Sequence, residues 1–292
     1  MNNLIQNYEI IRFHLQQTCS DIESFRQART PKLGNLELVS LNLTAEYMSI
    51  NTELQLFRCI KGTYLEPLIE RSVYNKRRRR LLDYTEAIRR RLSGKFADLT
   101  DLFVVDSMPT PICKLPRAGR SGICATDRVQ PSFGYCASQM LHYFGYKTHA
   151  VCDRNGVFHS FDLTPAHVHE VNYLADVKHD FSNCTMLGDR GYIGAGYQAD
   201  LFTHSQITLS VPMRKNQAGF VPYPKAKAKV RRRIETAFSQ LHGQFQWVVN
   251  HAKTFPGLAT RLLSKITAYT MIQYLNLFVF NRTINHIKVN LF

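Results

Sequence analysis

The hydrophobic period of this chain changes once, near Leu99, and that change dictates two kinds of architecture in one polypeptide. Before it, apolar residues recur at helical spacing. Ile5, Tyr8, Ile11 and Leu15 mark a helix over Asn3 to Gln17, and the pattern continues over Leu36 to Met48 and Leu54 to Ile60. Ser72 or Asn75 is placed to cap a further helix running through an arginine cluster to Leu92. After it, strand patterns dominate. Leu102 to Asp106 is a short apolar strand ending in an acid. Tyr143 to Cys152 alternates, Asp153-Arg154-Asn155-Gly156 is a hairpin turn, and Val157 to Leu163 returns. Val168 to Phe181 fits a helix. Thr185 to Asp189 is another short strand ending in Asp, Ile207 to Pro212 one more strand, and Lys225 to Trp247 and Leu258 to Phe280 long helices.

Between the first strand and the hairpin lies a Gly/Pro/Arg-rich stretch, Pro109 to Gly134, expected to be a functional loop. Three strands in succession followed by crossovers predict a mixed α/β sheet flanked by helices, preceded by an all-α domain. The expected boundaries are 1–97 for the helical, DNA-binding domain, 98–250 for the α/β domain, and 251–292 for a C-terminal helix packing on the α/β domain. A bundle that serves dimerisation is the plainer reading of the helical part.

Charge narrows the partners. The 292 residues hold 37 Lys and Arg against 22 Asp and Glu, a net charge of +15. This balance favours nucleic acid, an anionic membrane surface or an acidic protein as partner, and excludes an acidic binding surface on the chain itself. The charge is clustered: Arg71 to Lys95 holds ten basic residues and two acids, and Arg214 to Arg233 holds eight and none. Lys76, Arg77, Arg78, Arg79 and Arg80 form the densest run. An apolar fraction of 45% excludes wholesale disorder. Met1 to Ile11 contains Glu9 and no apolar core of signal-peptide length. The longest apolar stretch, Ile266 to Phe280, is interrupted by Thr267, Thr270, Gln273 and Asn276, and a spanning helix needs about 20 apolar residues. Seven cysteines without a Cys-x-x-Cys pair suggest neither a disulfide framework nor a zinc ribbon, and fit a reducing cytoplasm. Cys152, Cys184 and Trp247 read as core residues.

Three carboxylates stand out. Asp106 and Asp189 each end a strand, and converge at one sheet edge if those strands are neighbours. Glu235 is the single acid among thirteen Lys and Arg between Leu201 and Phe292. Helical spacing groups it with Arg231, Ile234, Phe238 and Leu241, so it is expected on the packed side of its helix. Taken singly, Glu235 is an i−4 salt bridge to Arg231 and the aspartates are strand-end caps. Taken together, they are hard oxygen ligands suited to Mg²⁺ or Mn²⁺. Two such ions about 4 Å apart would serve phosphodiester displacement. Lys147 and His149 share a strand face that could turn toward the acids, and Arg190 adjoins Asp189. His167-x-His169-Glu170 reads as a metal site, a cap or a DNA contact.

Several segments, in order, resemble a DDE transposase of bacterial insertion sequences, most closely the nine-eight-two family. They are Phe103-Val104-Val105-Asp106-Ser107, Gly145 to His149, Asp153 to Gly156, Leu187 to Tyr192 and Arg231 to Phe238. The resemblance implies an RNase H-like catalytic fold and a catalytic, metal-binding triad of Asp106, Asp189 and Glu235, with two Mg²⁺ ions for which Mn²⁺ substitutes. It implies cleavage at inverted-repeat ends and joining of the 3′-hydroxyl to target DNA, by a homodimer acting on the bacterial nucleoid. Related transposases space Tyr, Arg, Glu and Lys along the last helix. Arg231 and Glu235 fit that spacing, while Ala228 and His242 stand where the Tyr and Lys would be. Lys147, Arg190, Arg231 and His242 are thus expected DNA contacts beside the arginine run. The rival readings are an inactive DNA-binding repressor and an RNase H-like nuclease without strand transfer.

Overall fold

The computed structural model describes residues 3–25, 29–217, 219–288 and 291. Met1 and Asn2, the start of the segment read for a signal, lie outside them. Among the described residues, helices α1 (Leu4–Cys19), α2 (Asn35–Tyr47), α3 (Glu53–Ile60), α4 (Arg71–Arg80) and α5 (Leu82–Gly94) come first. Strands β1 (Leu102–Cys113), β2 (Ser132–Cys136), β3 (Leu141–Asp153) and β4 (Phe158–Pro165) follow. Helix α6 (Leu174–Asp180), β5 (Thr185–Leu187), α7 (Ala195–Ser205), β6 (Thr208–Ser210), α8 (Lys225–Gly243) and α9 (Phe255–Tyr274) complete the order. The chain divides into a helical unit, Met1–Lys95 with Gln240–Phe292, and an α/β unit, Phe96–Ser239.

In the helical unit, α1 buries Leu4, Tyr8, Ile11, Leu15 and Cys19, a stripe at helical period. Helix α9 is buried from Leu258 to Gln273 apart from Ala259. A helix buried on nearly every face must be surrounded, and here α2, α4 and α5 surround it. Asn42 donates to Ser264 Oγ at 2.6 Å and Lys265 donates to Glu46 at 2.8 Å, pinning α2 to α9. This corrects the expectation that 251–292 packs on the catalytic domain: the α2 and α5 faces that α9 covers are in the first 95 residues. Trp247 is fully buried in the same unit, as its core role requires.

The helix expected through the arginine run is two helices. It starts at Arg71, after Glu70, and breaks at Leu81, whose ψ of 18° ends the α-helical run. Past the break, Tyr84, Ile88 and Leu92 enter the core together with Leu81.

In the α/β unit the sheet order is β2-β3-β1-β5-β6, with β4 also on β3. β1, β3 and β4 pair antiparallel, whereas β5 joins β1 and β6 joins β5 in parallel. The mixed α/β class and the helical N-terminal region are therefore as expected. Phe103, Val105 and Met186 pack with Leu174 and Val177 of α6 and Leu201 of α7. Asp153 accepts the N–H groups of Asn155 and Val157, and Gly156 takes a φ of 87°, which builds the anticipated hairpin turn.

The Pro109–Gly134 stretch is less irregular than expected. β1 continues through Pro109 and Pro111, which face Lys147 and Gly145. β5 pairs only with Leu102 to Val104, so further along that edge of β1, among the described residues, no strand pairs to which a proline would fail to donate. Gly145 matches this close approach, since a Cβ there would strike the Thr110 carbonyl at φ +154°.

Candidate active site

Strand register brings the two aspartates together. Val104 pairs with Leu187 in the parallel ladder between β1 and β5. Asp106 and Asp189 each lie two residues beyond that pair, so both project past the carboxyl end of β5 in step. Asp106 Oδ1 accepts the Ser107 N–H at 2.8 Å. Asp189 Oδ1 accepts the Gly191 N–H at 2.7 Å, capping the turn Arg190–Tyr192.

A third carboxylate joins them, and it is Glu170. Ser107 Oγ donates to Glu170 Oε1 at 2.7 Å, and Lys147 Nζ lies 3.5 Å from the same oxygen. A Cβ on residue 191 would meet Glu170 Oε2 and crowd Asp189 Oδ1, so glycine there leaves the Glu170 carboxylate room for this close approach. Asp106, Asp189, Glu170, Lys147, Ser107 and Tyr143 are among the residues lining a cavity of about 290 Å³.

Electrostatics follow from the crowding. Burial, then the Asp189 charge, push the Asp106 carboxyl up to about 7, against the pull of the Ser107 N–H and Arg231. Asp189 is raised by burial and by Glu170, and lowered by Gly191 N–H, Arg231 and Lys147. Tyr192 is fully buried beside all three acids, its hydroxyl without a hydrogen-bond partner, and burial plus those charges hold its pKa well above the ordinary value.

The remaining expected residues are dispersed. Glu235 does not face the packed side. It is 49% exposed and sits 3.3 Å from Arg231, the plain i−4 pair. The buried face of α8 is Ile234, Ala237, Phe238 and Leu241. Residue 235 is one step of about 100° from Ile234 around the helix, enough to carry it off that face. Arg231 links the two groups, since its charge acts on Asp106 and Asp189 while its guanidinium meets Glu235. His149 does not turn to the acids. It is fully buried, its Nε2 is 2.8 Å from Thr164 Oγ1, and burial and Lys147 push its pKa down to about 3. Lys147 does enter the site and donates to the Val168 carbonyl. Arg190 is exposed, and His242 is half-buried with its pKa lowered by burial.

The basic run divides by helix face. Lys76, Arg79 and Arg80 are exposed. Arg77 departs from the expectation of an exposed contact: it is 6% exposed and donates to the Leu33 carbonyl and Asn35 Oδ1, as a brace within the unit. Arg78 pairs with Glu53 at 3.0 Å. In the His167-x-His169-Glu170 segment the histidines serve locally. His167 Nδ1 meets Ser132 Oγ, and His169 Nδ1 accepts the Val171 N–H.

Among the described residues no group of three or more His, Cys, Asp or Glu is gathered closely enough to hold a metal as it stands. The donor set nonetheless fits a hard divalent ion. Three carboxylates face two cations, Lys147 and Arg231, two of those carboxyls have raised pKa values, and the Tyr192 hydroxyl beside them has no partner.

Residues 98–271 match the family model described as the transposase DDE domain. Neither the curated proteins nor the solved structures offer a match to this chain. With a match over more than half of its length, and with Asp106 and Asp189 brought side by side just past the β1–β5 ladder where that domain lies, the chain belongs to the DDE-domain transposase family.

Proposed function

We propose that this chain is the transposase of a bacterial insertion sequence, nearest the nine-eight-two family, with an RNase H-like catalytic unit. It would bind the inverted-repeat ends of its element, cleave them by hydrolysis and join the released 3′-hydroxyl to target DNA. The observation that carries this reading is the position of Asp106 and Asp189, each two residues beyond the last β1–β5 pair and crowded enough to raise both carboxyls.

Asp106 and Asp189 would hold two Mg²⁺ ions, or Mn²⁺, with Glu235 as third ligand and Glu170 as a further acid. Bound Mg²⁺ supplies Lewis-acid stabilisation of the phosphoryl oxygens and an activated oxygen nucleophile. The chain's own groups supply position and charge. Lys147, fixed by the Val168 carbonyl, offers its ammonium to a non-bridging phosphate oxygen. Arg231 pairs with Glu235 while its charge acts on both aspartates. Ser107 fixes the Glu170 carboxylate. Hydrolysis and strand transfer are both in-line phosphoryl transfers, so one arrangement serves both without a covalent enzyme intermediate. Lys76, Arg78, Arg79, Arg80, Arg190 and His242 would contact DNA outside the reacting phosphate. The active form would be a homodimer that pairs two ends, acting in the cytoplasm on the nucleoid. Among the described residues no helix is long and apolar enough to cross a membrane.

Joining is the test of this reading. A duplex carrying a pre-cleaved element end is incubated with protein, Mg²⁺ and a supercoiled plasmid. Joined product from the element's own end, and none from a scrambled end, is expected. Cutting of intact ends without joining would mean a nuclease, and sequence-selective binding with neither reaction would mean a repressor.

A further inference from the structure

A second basic site lies in the helical unit, where the N-termini of α3 and α9 and one face of α4 enclose a cavity of about 380 Å³. Arg71, Arg78 and Arg79 reach it from α4, and Lys253 and Arg261 reach it from the start of α9. Glu53 is the acid of the lining, and it is engaged by Arg78.

Arg261 is the informative residue. It is 6% exposed, and its Nε and Nη2 have no hydrogen-bond partner. The nearest acid, Glu46, lies 3.4 Å from Nε without hydrogen-bond alignment and is held by Lys265 at 2.8 Å. The buried set is thus one carboxylate against two cations. Buried N–H donors left unmet are costly, and with its one carboxylate shared with Lys265 the Arg261 guanidinium has capacity for a second anion. The cavity Arg261 lines is also where Thr254 caps α9 at Gly257, so a 20-residue helix adds its positive end. At ~30 Å³ per water, about 380 Å³ holds about a dozen waters, more than a bare tetrahedral ion displaces.

We propose that this cavity is a phosphodiester-binding pocket that takes a backbone phosphate of a DNA strand, with Arg261 as the buried anchor and Arg79 and Lys253 as its rim. The choice of DNA as the source rests on the reading of the chain as a transposase; the phosphate chemistry does not. Such a contact fixes a strand without reading its sequence.

The test uses the full-length protein and two probes. Fluorescence anisotropy follows a labelled duplex, both end sequence and scrambled, across a salt series. Thermal melting follows inorganic phosphate against chloride at equal ionic strength. The variants are Arg261→Gln and the surface pair Arg79→Ala with Lys253→Ala, whose exposed side chains leave folding unaffected. Asp106→Asn serves as the control in the other unit. The pocket variants are expected to bind both duplexes about tenfold more weakly, with a salt slope shallower by about 1 per phosphate lost. Phosphate is expected to raise the melting temperature of the wild type and of Asp106→Asn, but not of the pocket variants. Equal affinity and slope in wild type and pocket variants overturn the proposal. So does loss of the phosphate effect with DNA binding unchanged, which would mean a pocket for free phosphate. Failure of the wild type to bind any duplex would overturn the DNA assignment and the transposase reading together, with the melting data still reporting on the phosphate site.

Discussion

Asp106 carries its proton higher in the folded protein, near pH 7, than an unfolded aspartate does at about 3.9. Between those values the folded state binds more protons than the unfolded state. Stability therefore falls as pH rises through that window and levels off above it. In chelator, Asp106→Asn is expected to melt higher than wild type, with a gain that grows from pH 5 to pH 8; a gain independent of pH would contradict this. Mn²⁺ at pH 8 should raise the wild-type melting temperature, and raise that of Asp106→Asn, Asp189→Asn and Glu170→Gln less. An equal rise in Glu170→Gln would remove Glu170 from the ligand set. Both aspartates were legible in the sequence because an acid after a short apolar run is a local signal, although β1 runs on through Asp106 to Cys113 and does not end there. Glu170 was named only as part of the His167-x-His169-Glu170 segment; its place beside the aspartates was hidden, because it follows an irregular turn and reaches the acids only when β1, β3 and the Arg190–Tyr192 turn are assembled. The histidines beside it, more conspicuous as ligands, serve as local hydrogen-bonding groups.

At the scale of elements, α8 shows the limit of reading a helix face from spacing. Ile234 and Glu235 are neighbours in sequence, yet one is fully buried and the other half exposed. Ile234→Ala should cost about 2–4 kcal/mol in chemical unfolding, from lost transfer energy and a cavity. Glu235→Gln removes an exposed i,i+4 pair and should cost no more than about 0.5 kcal/mol. The reverse order would restore the face predicted from spacing. The break at Leu81 was equally hidden, since good helix formers run across it and tertiary packing decides where the axis turns. β1 extended through two prolines because one of its edges is open, a fact of sheet topology that composition does not reveal.

For the molecule as a whole, chain order and spatial order differ at the C-terminus. Removal of 251–292 deletes α9, against which α2, α4 and α5 pack. A chain ending at residue 250 is expected to lose cooperative unfolding by circular dichroism, whereas a C-terminal helix merely docked on the α/β unit would leave the helical unit's transition intact. With a charge of +15, the proposed binding to DNA is expected to be steeply salt-dependent. If about six phosphates are neutralised, log affinity against log salt should fall with a slope near −5. A slope near zero would exclude backbone binding as the source of affinity.

The central claim is that Asp106, Asp189 and Glu235 act together on a phosphodiester. Purified protein is incubated with labelled DNA carrying the element's own flanking repeats, in Mg²⁺, Mn²⁺ or chelator, beside Asp106→Asn, Asp189→Asn and Glu235→Gln. The account expects metal-dependent cutting at the repeat ends by the wild type and none by any of the three variants. Cutting that survives in Glu235→Gln would give the third acid's place to Glu170, and cutting that survives in Asp106→Asn or Asp189→Asn would contradict the account itself.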